Sequence, residues 1–94
     1  MTVAQTILSQ IKTIDPRALG AWGAKDLIDM GDGLKFRASG MTRWKGHVYI
    51  KYNKGNDLYD IDFFRLRNAT PVYDNKVNNV FADQLVAVID GQVG

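Results

Sequence analysis

From Val48 to Phe63 the chain alternates apolar and polar residues twice, on either side of a Gly55-Asn56 break. Few patterns constrain a fold more. A period of two puts successive side chains on opposite faces of a strand, and a turn dipeptide between two such runs makes a hairpin. A two-residue turn at Gly55-Asn56 sets Tyr52 opposite Tyr59, Ile50 opposite Ile61 and Val48 opposite Phe63 on one apolar face. The other face then pairs Lys51 with Asp60 and Tyr49 with Asp62. Opposite charges facing each other across strands contribute about 0.2–1 kcal/mol each. Beyond Phe63 the doublet Phe63-Phe64 disturbs the alternation. A bulge there would turn Phe64 and Leu66 inward and Arg65 and Arg67 outward.

A second hairpin is expected just upstream. Gly31-Asp32-Gly33 reads as a three-residue loop with Gly33 in the left-handed position. That register opposes Met30 to Leu34 and Ile28 to Phe36, with Asp29 across from Lys35 and Leu27 across from Arg37. Helices flank the strands. Val3, Ile7, Ile11 and Ile14 recur at helical spacing behind a Thr2-Gln5 capping box, and Asp15-Pro16 ends the run. A short helical turn over Arg17–Leu19 follows, with Trp22 plugging the edge of the core. At the other end Phe81, Leu85, Val88 and Ile89 form a stripe capped by Asn78 or Asn79 and stopped at Gly91. The segment from Asn68 to Asn79 is rich in turn residues, with at most a short edge strand at Pro71-Val72-Tyr73. The expected fold is a single α+β domain over residues 1–94: an N-terminal helix, a four-stranded antiparallel β-meander of two hairpins and a C-terminal helix. Both helices cover one face of the sheet and the other face stays open.

Composition narrows the function classes. With 94 residues and 46% apolar content the chain is one small globular domain, too apolar for disorder. No apolar run nears the roughly 20 residues of a membrane span, and no secretory leader is visible, so no membrane contact is expected. The absence of cysteine excludes a disulfide scaffold, a thiolate zinc site and a cysteine nucleophile. The formal charge of +2 conceals an asymmetry. Residues 35–67 hold eight bases against three acids, and seven of the ten aromatic residues. Both flanks are mildly acidic.

Catalytic or metal chemistry finds little footing. His47 is the only histidine, and without a second His or a Cys it has no zinc set; a plain sheet residue accounts for it. Asp57, Asp60 and Asp62 lack the glycine and the closing glutamate of a calcium loop, and cross-strand partners explain Asp60 and Asp62. Gly31-Asp32-Gly33 lies inside a hairpin and does not lead from strand to helix, so it is no phosphate loop. Neither Ser9 nor Ser39 sits in a nucleophile elbow. A non-catalytic chain without cofactor is expected.

The basic, aromatic middle is the remaining candidate. Lys35, Arg37, Lys45, Tyr49 and Lys51 project from the open face, with Arg43 in the adjoining loop and Phe64 beside them. Cations beside aromatic rings suit single-stranded nucleic acid; the plainer account is that aromatics form strands and charges solvate a face. An open face that mixes Leu27, Tyr49 and Leu58 with charge, joined by Phe64 and Leu66 where the alternation runs on without the bulge, also suits a protein partner or self-association.

The chain also resembles a family of small, mostly uncharacterised proteins encoded by tailed phages and integrative mobile elements. The resemblance lies in Ile7-Leu8-x-Gln10, Gly23-Ala24-Lys25-Asp26-Leu27, Asp57-Leu58-Tyr59-Asp60-Ile61-x-Phe63, Leu66-Arg67 and Val80-Phe81-Ala82-Asp83-Gln84-Leu85. It implies an accessory protein working in the host cytoplasm on a host or phage protein, and supplies no active site.

Overall fold

A computed structural model describes residues 1–94. The chain forms α1 (Val3–Ile14), α2 (Ala18–Trp22), then strands β1 (Ala24–Asp29), β2 (Gly33–Ala38), β3 (Gly46–Asn53), β4 (Leu58–Arg67) and β5 (Thr70–Val80), a 3₁₀ turn (Ala82–Gln84) and α3 (Leu85–Val93). The strands pair in sequence order as one antiparallel sheet, β1-β2-β3-β4-β5. The α+β class is as expected. The strand count is not: five strands stand where four were read.

The register of the β3–β4 pair follows the alternation residue for residue, with Tyr52 opposite Tyr59, Ile50 opposite Ile61 and Val48 opposite Phe63. The connection differs. Asp57 donates its N–H to Asn53 O at 2.9 Å and takes φ +59°, so Lys54–Asp57 forms a four-residue loop in place of a Gly55-Asn56 turn. Asn53 and Asn56 side chains accept from Gly55 and Leu58 N–H and hold it. Local amide hydrogen bonds outcompeted the tight turn.

The first hairpin is shifted by one residue from its expected register. Met30 donates to Gly33 O at 2.9 Å across a two-residue Gly31-Asp32 turn, and Gly31, not Gly33, is left-handed at φ +84°. Asp29 therefore faces Leu34 and Ile28 faces Lys35, while Lys25 faces Arg37. Apolar matching misled because Leu27, Ile28 and Met30 lie exposed on an edge strand and never enter the core. Gly33 serves another need: a Cβ there would sit 1.9 Å from Ile50 O, so only glycine lets β2 close on β3.

Strand β5 is eleven residues long where three were expected. Asn68 and Ala69, at φ +52° and +63°, make a left-handed two-residue turn from β4, and Arg67 pairs with Thr70. Irregularities in this ladder fall on β5, where Asp74 and the Asn78–Asn79 region are extra. β4 keeps its alternation: Phe64 stays opposite His47 on the open face and does not turn inward. Leu66 is likewise on that face, opposite Pro71, and Arg65 faces the helix side.

The core lies on one side. Ile7 and Ile11 of α1, Trp22 of α2, and Leu85, Ile89 and Val93 of α3 pack against Leu34, Phe36, Val48, Ile50, Ile61 and Phe63, all essentially inaccessible. The Thr2-Gln5 capping box forms as read, and α1 ends at extended Asp15. Trp22 is wholly buried rather than at an edge; it stacks on Phe36 with centroids 6.0 Å apart and donates its indole N–H to Asp90. The last helix departs from expectation twice. Phe81 N–H donates to Gln84 Oε1, replacing an Asn78 or Asn79 cap, and Gly91 lies within α3. Phe81 itself is 56% exposed. No helix is long and apolar enough to cross a membrane.

Candidate interaction face

Every helix lies against the same face of the sheet, and the opposite face carries no helix. That face is built in rows, because residues directly paired across antiparallel strands point the same way. One row runs Lys25–Arg37–His47–Phe64–Tyr73 from β1 to β5. The next runs Ile28–Lys35–Tyr49–Asp62–Lys76. A third holds Lys51 opposite Asp60. Lys35, Arg37, Tyr49 and Lys51 are thus brought together as the alternation implied, and Phe64 joins them because the bulge that would have turned it inward is absent from β4.

Lys45 and Arg43 are not part of the sheet. Both lie in the irregular connection before β3, and Arg43 is turned toward the helices, where its guanidinium donates to Gly91 O at 3.0 Å. Trp44 in the same loop donates its backbone N–H to Val93 O at 3.1 Å and packs edge-on against Phe63. The loop is a strap over the end of α3, which removes Arg43 from the open face.

The charges on the face are not free in equal measure. Each acid there has a protein partner. Lys51 Nζ binds Asp62 at 2.9 Å, the diagonal residue rather than Asp60 directly opposite. Asp60 accepts Asn79 N–H, Asp32 accepts the Tyr49 hydroxyl, and Asp26 pairs loosely with Arg37 at 3.7 Å. Asp62 is only 7% exposed, the one buried charged residue of the chain. By contrast Lys35 lies over the Phe64 ring at 6.0 Å and Lys76 over Tyr73 at 4.3 Å. Neither makes an ion pair among the salt bridges of the fold. The surplus on the face is cationic.

Titration follows this layout. Burial, then the Asp32 hydrogen bond, pushes the Tyr49 phenol up to about 12. The hydrogen bond to Asp62 holds the Lys51 ammonium above its ordinary value. Burial first, then the charges of Lys35 and Arg37, lower His47.

The aromatic surface is less open than its composition implied. Phe64 is 9% exposed, stacked on His47 at 5.1 Å and tilted against Tyr73 at 5.5 Å. Lys35, Lys51 and Lys76 sit over Phe64, Tyr49 and Tyr73 respectively. Apolar residues emerge instead at the margins: Leu27, Ile28 and Met30 toward β1, Leu66 and Tyr73 toward β5. Lys76 and Tyr73 were not expected on the face, because the edge strand read at Pro71-Val72-Tyr73 is far shorter than β5. The continuation through Val77 to Val80 was the available signal, masked by interleaved asparagines.

Neither sheet edge invites another strand. β1 carries a bulge after Lys25 and three charged side chains; β5 carries Pro71, Lys76 and two irregularities. These devices block edge pairing. No group of three or more His, Cys, Asp or Glu side chains converges as a metal set. No protein-family model, no curated protein and no solved structure matches this chain.

Proposed function

We propose that the protein is a non-catalytic binding module that docks an acidic surface of another protein on its open sheet face. The observation that carries this reading is the pairing pattern on that face. Its acids are occupied within the molecule, whereas Lys35 and Lys76 rest only on aromatic rings. A carboxylate from a partner can recruit those lysines and bare the rings beneath for apolar contact. Two copies meeting face to face would oppose cation to cation, so the occupant is a different protein. The blunted edges favour contact through the face rather than strand addition. The resemblance to phage and mobile-element proteins fits an accessory role in a host cytoplasm.

Single-stranded nucleic acid is the competing ligand, since its phosphates also seek cations. Base stacking needs exposed ring faces, and Phe64, the ring at the centre of the face, is only 9% exposed beneath His47 and Tyr73. That favours protein.

The test is capture of a partner by the immobilised chain, followed by direct binding of that partner once purified. Binding should weaken with salt and be lost in Tyr49→Ala and Lys76→Glu. Equal binding to wild type and both variants would sink the reading. So would light scattering that shows a self-dimer dissociated by Tyr49→Ala. A single-stranded oligonucleotide that binds at low salt and is released by Arg37→Ala plus Lys51→Ala would transfer the face to nucleic acid.

A further inference from the structure

Opposite Phe36 the first two strands separate. Lys25 faces Arg37 and Ile28 faces Lys35, so Asp26 and Leu27 both stand across from one residue. Asp26 takes φ +54°, the bulge position usually given to glycine. Aspartate is among the few L residues that tolerate a left-handed backbone, which suits it to this position. The bulge opens a cleft of about 440 Å³ whose wall includes Asp26, Lys35, Arg37 and His47.

Three bases and one acid line that cleft. Arg37 and His47 are directly paired across β2 and β3, and Lys35 is one pleat along on the same face. Lys25 stands across from Arg37 on β1. Asp26 is a poor counter-ion for them. It reaches Arg37 only at 3.7 Å, too long for a hydrogen bond, with side chains 48% and 68% exposed. The guanidinium fork is therefore available, and it matches a tetrahedral oxyanion two atoms at a time.

We infer that this cleft binds a phosphate-class oxyanion, free or as a monoester, gripped by Arg37 and Lys35 with His47 as a third donor. The site shares Lys35 with the proposed docking face but does not rest on that reading, because a small anion needs only the cleft. Its occupancy depends on pH. His47 is faced by Lys35 and Arg37 from β2, by Asp26 from β1 and by Phe64 from β4; Asp62, diagonal to it on β4, is engaged by Lys51. Burial first, then the two cations against one acid, hold the imidazole below its ordinary value and so favour its neutral form. A bound anion reverses that balance, so protonation and binding reinforce each other, and affinity rises as pH falls.

Backbone amide NMR of the full chain, titrated with sulfate against chloride at matched ionic strength, tests this. Sulfate keeps its charge while His47 titrates. Saturable shifts at Lys35, Arg37 and His47, growing stronger between about pH 7.5 and 5.5, are expected. Asp26→Asn keeps a residue tolerant of left-handed backbone, and should tighten binding roughly two- to fivefold, the worth of one exposed charge. His47→Gln should abolish the pH dependence yet leave binding at neutral pH. Arg37→Ala should remove the saturable shifts; Arg37→Lys, which keeps the charge but loses the fork, should weaken them with the fold unaltered. Inorganic phosphate and O-phosphoserine form two further arms: a tighter phosphoserine assigns a monoester, equal affinities a free anion. Shifts that follow ionic strength alike for sulfate and chloride, or that survive Arg37→Ala unchanged, would overturn the assignment.

Discussion

Ala69→Gly is the sharpest probe of how the β4–β5 hairpin is held. Both residues of its turn are left-handed, Asn68 at φ +52° and Ala69 at φ +63°. Asparagine tolerates that region and alanine does not: Cβ against the following carbonyl costs about 1–2 kcal/mol. Glycine removes that strain but loses about 0.5–1 kcal/mol more backbone freedom on folding. The net expectation is a gain of about 0.5–1 kcal/mol. In a domain of this size 1 kcal/mol moves the melting midpoint by about 4–8 °C, so a rise of roughly 2–8 °C follows. Urea unfolding followed by tryptophan fluorescence reads the change directly, because Trp22 is buried in the core and Trp44 bonds to Asp74 of β5. The midpoint should rise with an unchanged slope. Asn68→Gly should gain less, since its strain is smaller. A neutral or destabilising Ala69→Gly would falsify the left-handed turn, and with it the pairing that places Tyr73 and Lys76 on the open face.

Gly33→Ala should abolish or nearly abolish cooperative folding, because the added carbon meets the backbone of Ile50 at 1.9 Å; circular dichroism and a melting scan would show it, and a near-native melt would refute the close approach. Asp90→Ala leaves the buried Trp22 indole N–H without its partner and should cost about 1–3 kcal/mol by urea titration. Lys51→Met strands the buried Asp62 carboxylate. The cost should be about 1–3 kcal/mol, below the range for a fully buried pair because Lys51 is a third exposed, and an unchanged stability would mean that Lys76 can replace it. Tyr49 ionises near 12 in the folded chain against about 10 unfolded. Its neutral form therefore stabilises the fold below pH 10, and that contribution fades as pH climbs from 10 to 12. Phenolate absorbance should show the late step, and Asp32→Asn should bring it closer to 10.

What the amino-acid order made legible depended on whether a segment was buried. β3 and β4 each have one face against the core, so a slip of one residue would expose a whole apolar row, and the register could be read. β1 and β5 are edge strands with little core contact, so turn geometry and bulges set their registers instead. That is why Leu27 and Ile28 misled and why Asn75, Asn78 and Asn79 disguised a strand. The open face was readable in the same measure. Lys35, Arg37, Tyr49 and Lys51 follow from strand parity. The removal of Arg43 to the end of α3 depends on a loop whose path only long-range hydrogen bonds fix. The cleft at Asp26 was unreadable, because nothing in Lys25-Asp26-Leu27 announces a left-handed aspartate.

The three lysines poised above aromatic rings also govern how this surface meets bulk water. Their ammonium groups keep a hydrated skin over a greasy interior, so dilute solutions should stay clear and monodisperse. Reagents that acylate amines would strip that skin while leaving the backbone untouched, turning a well-behaved solute into one that clings to hydrophobic resins.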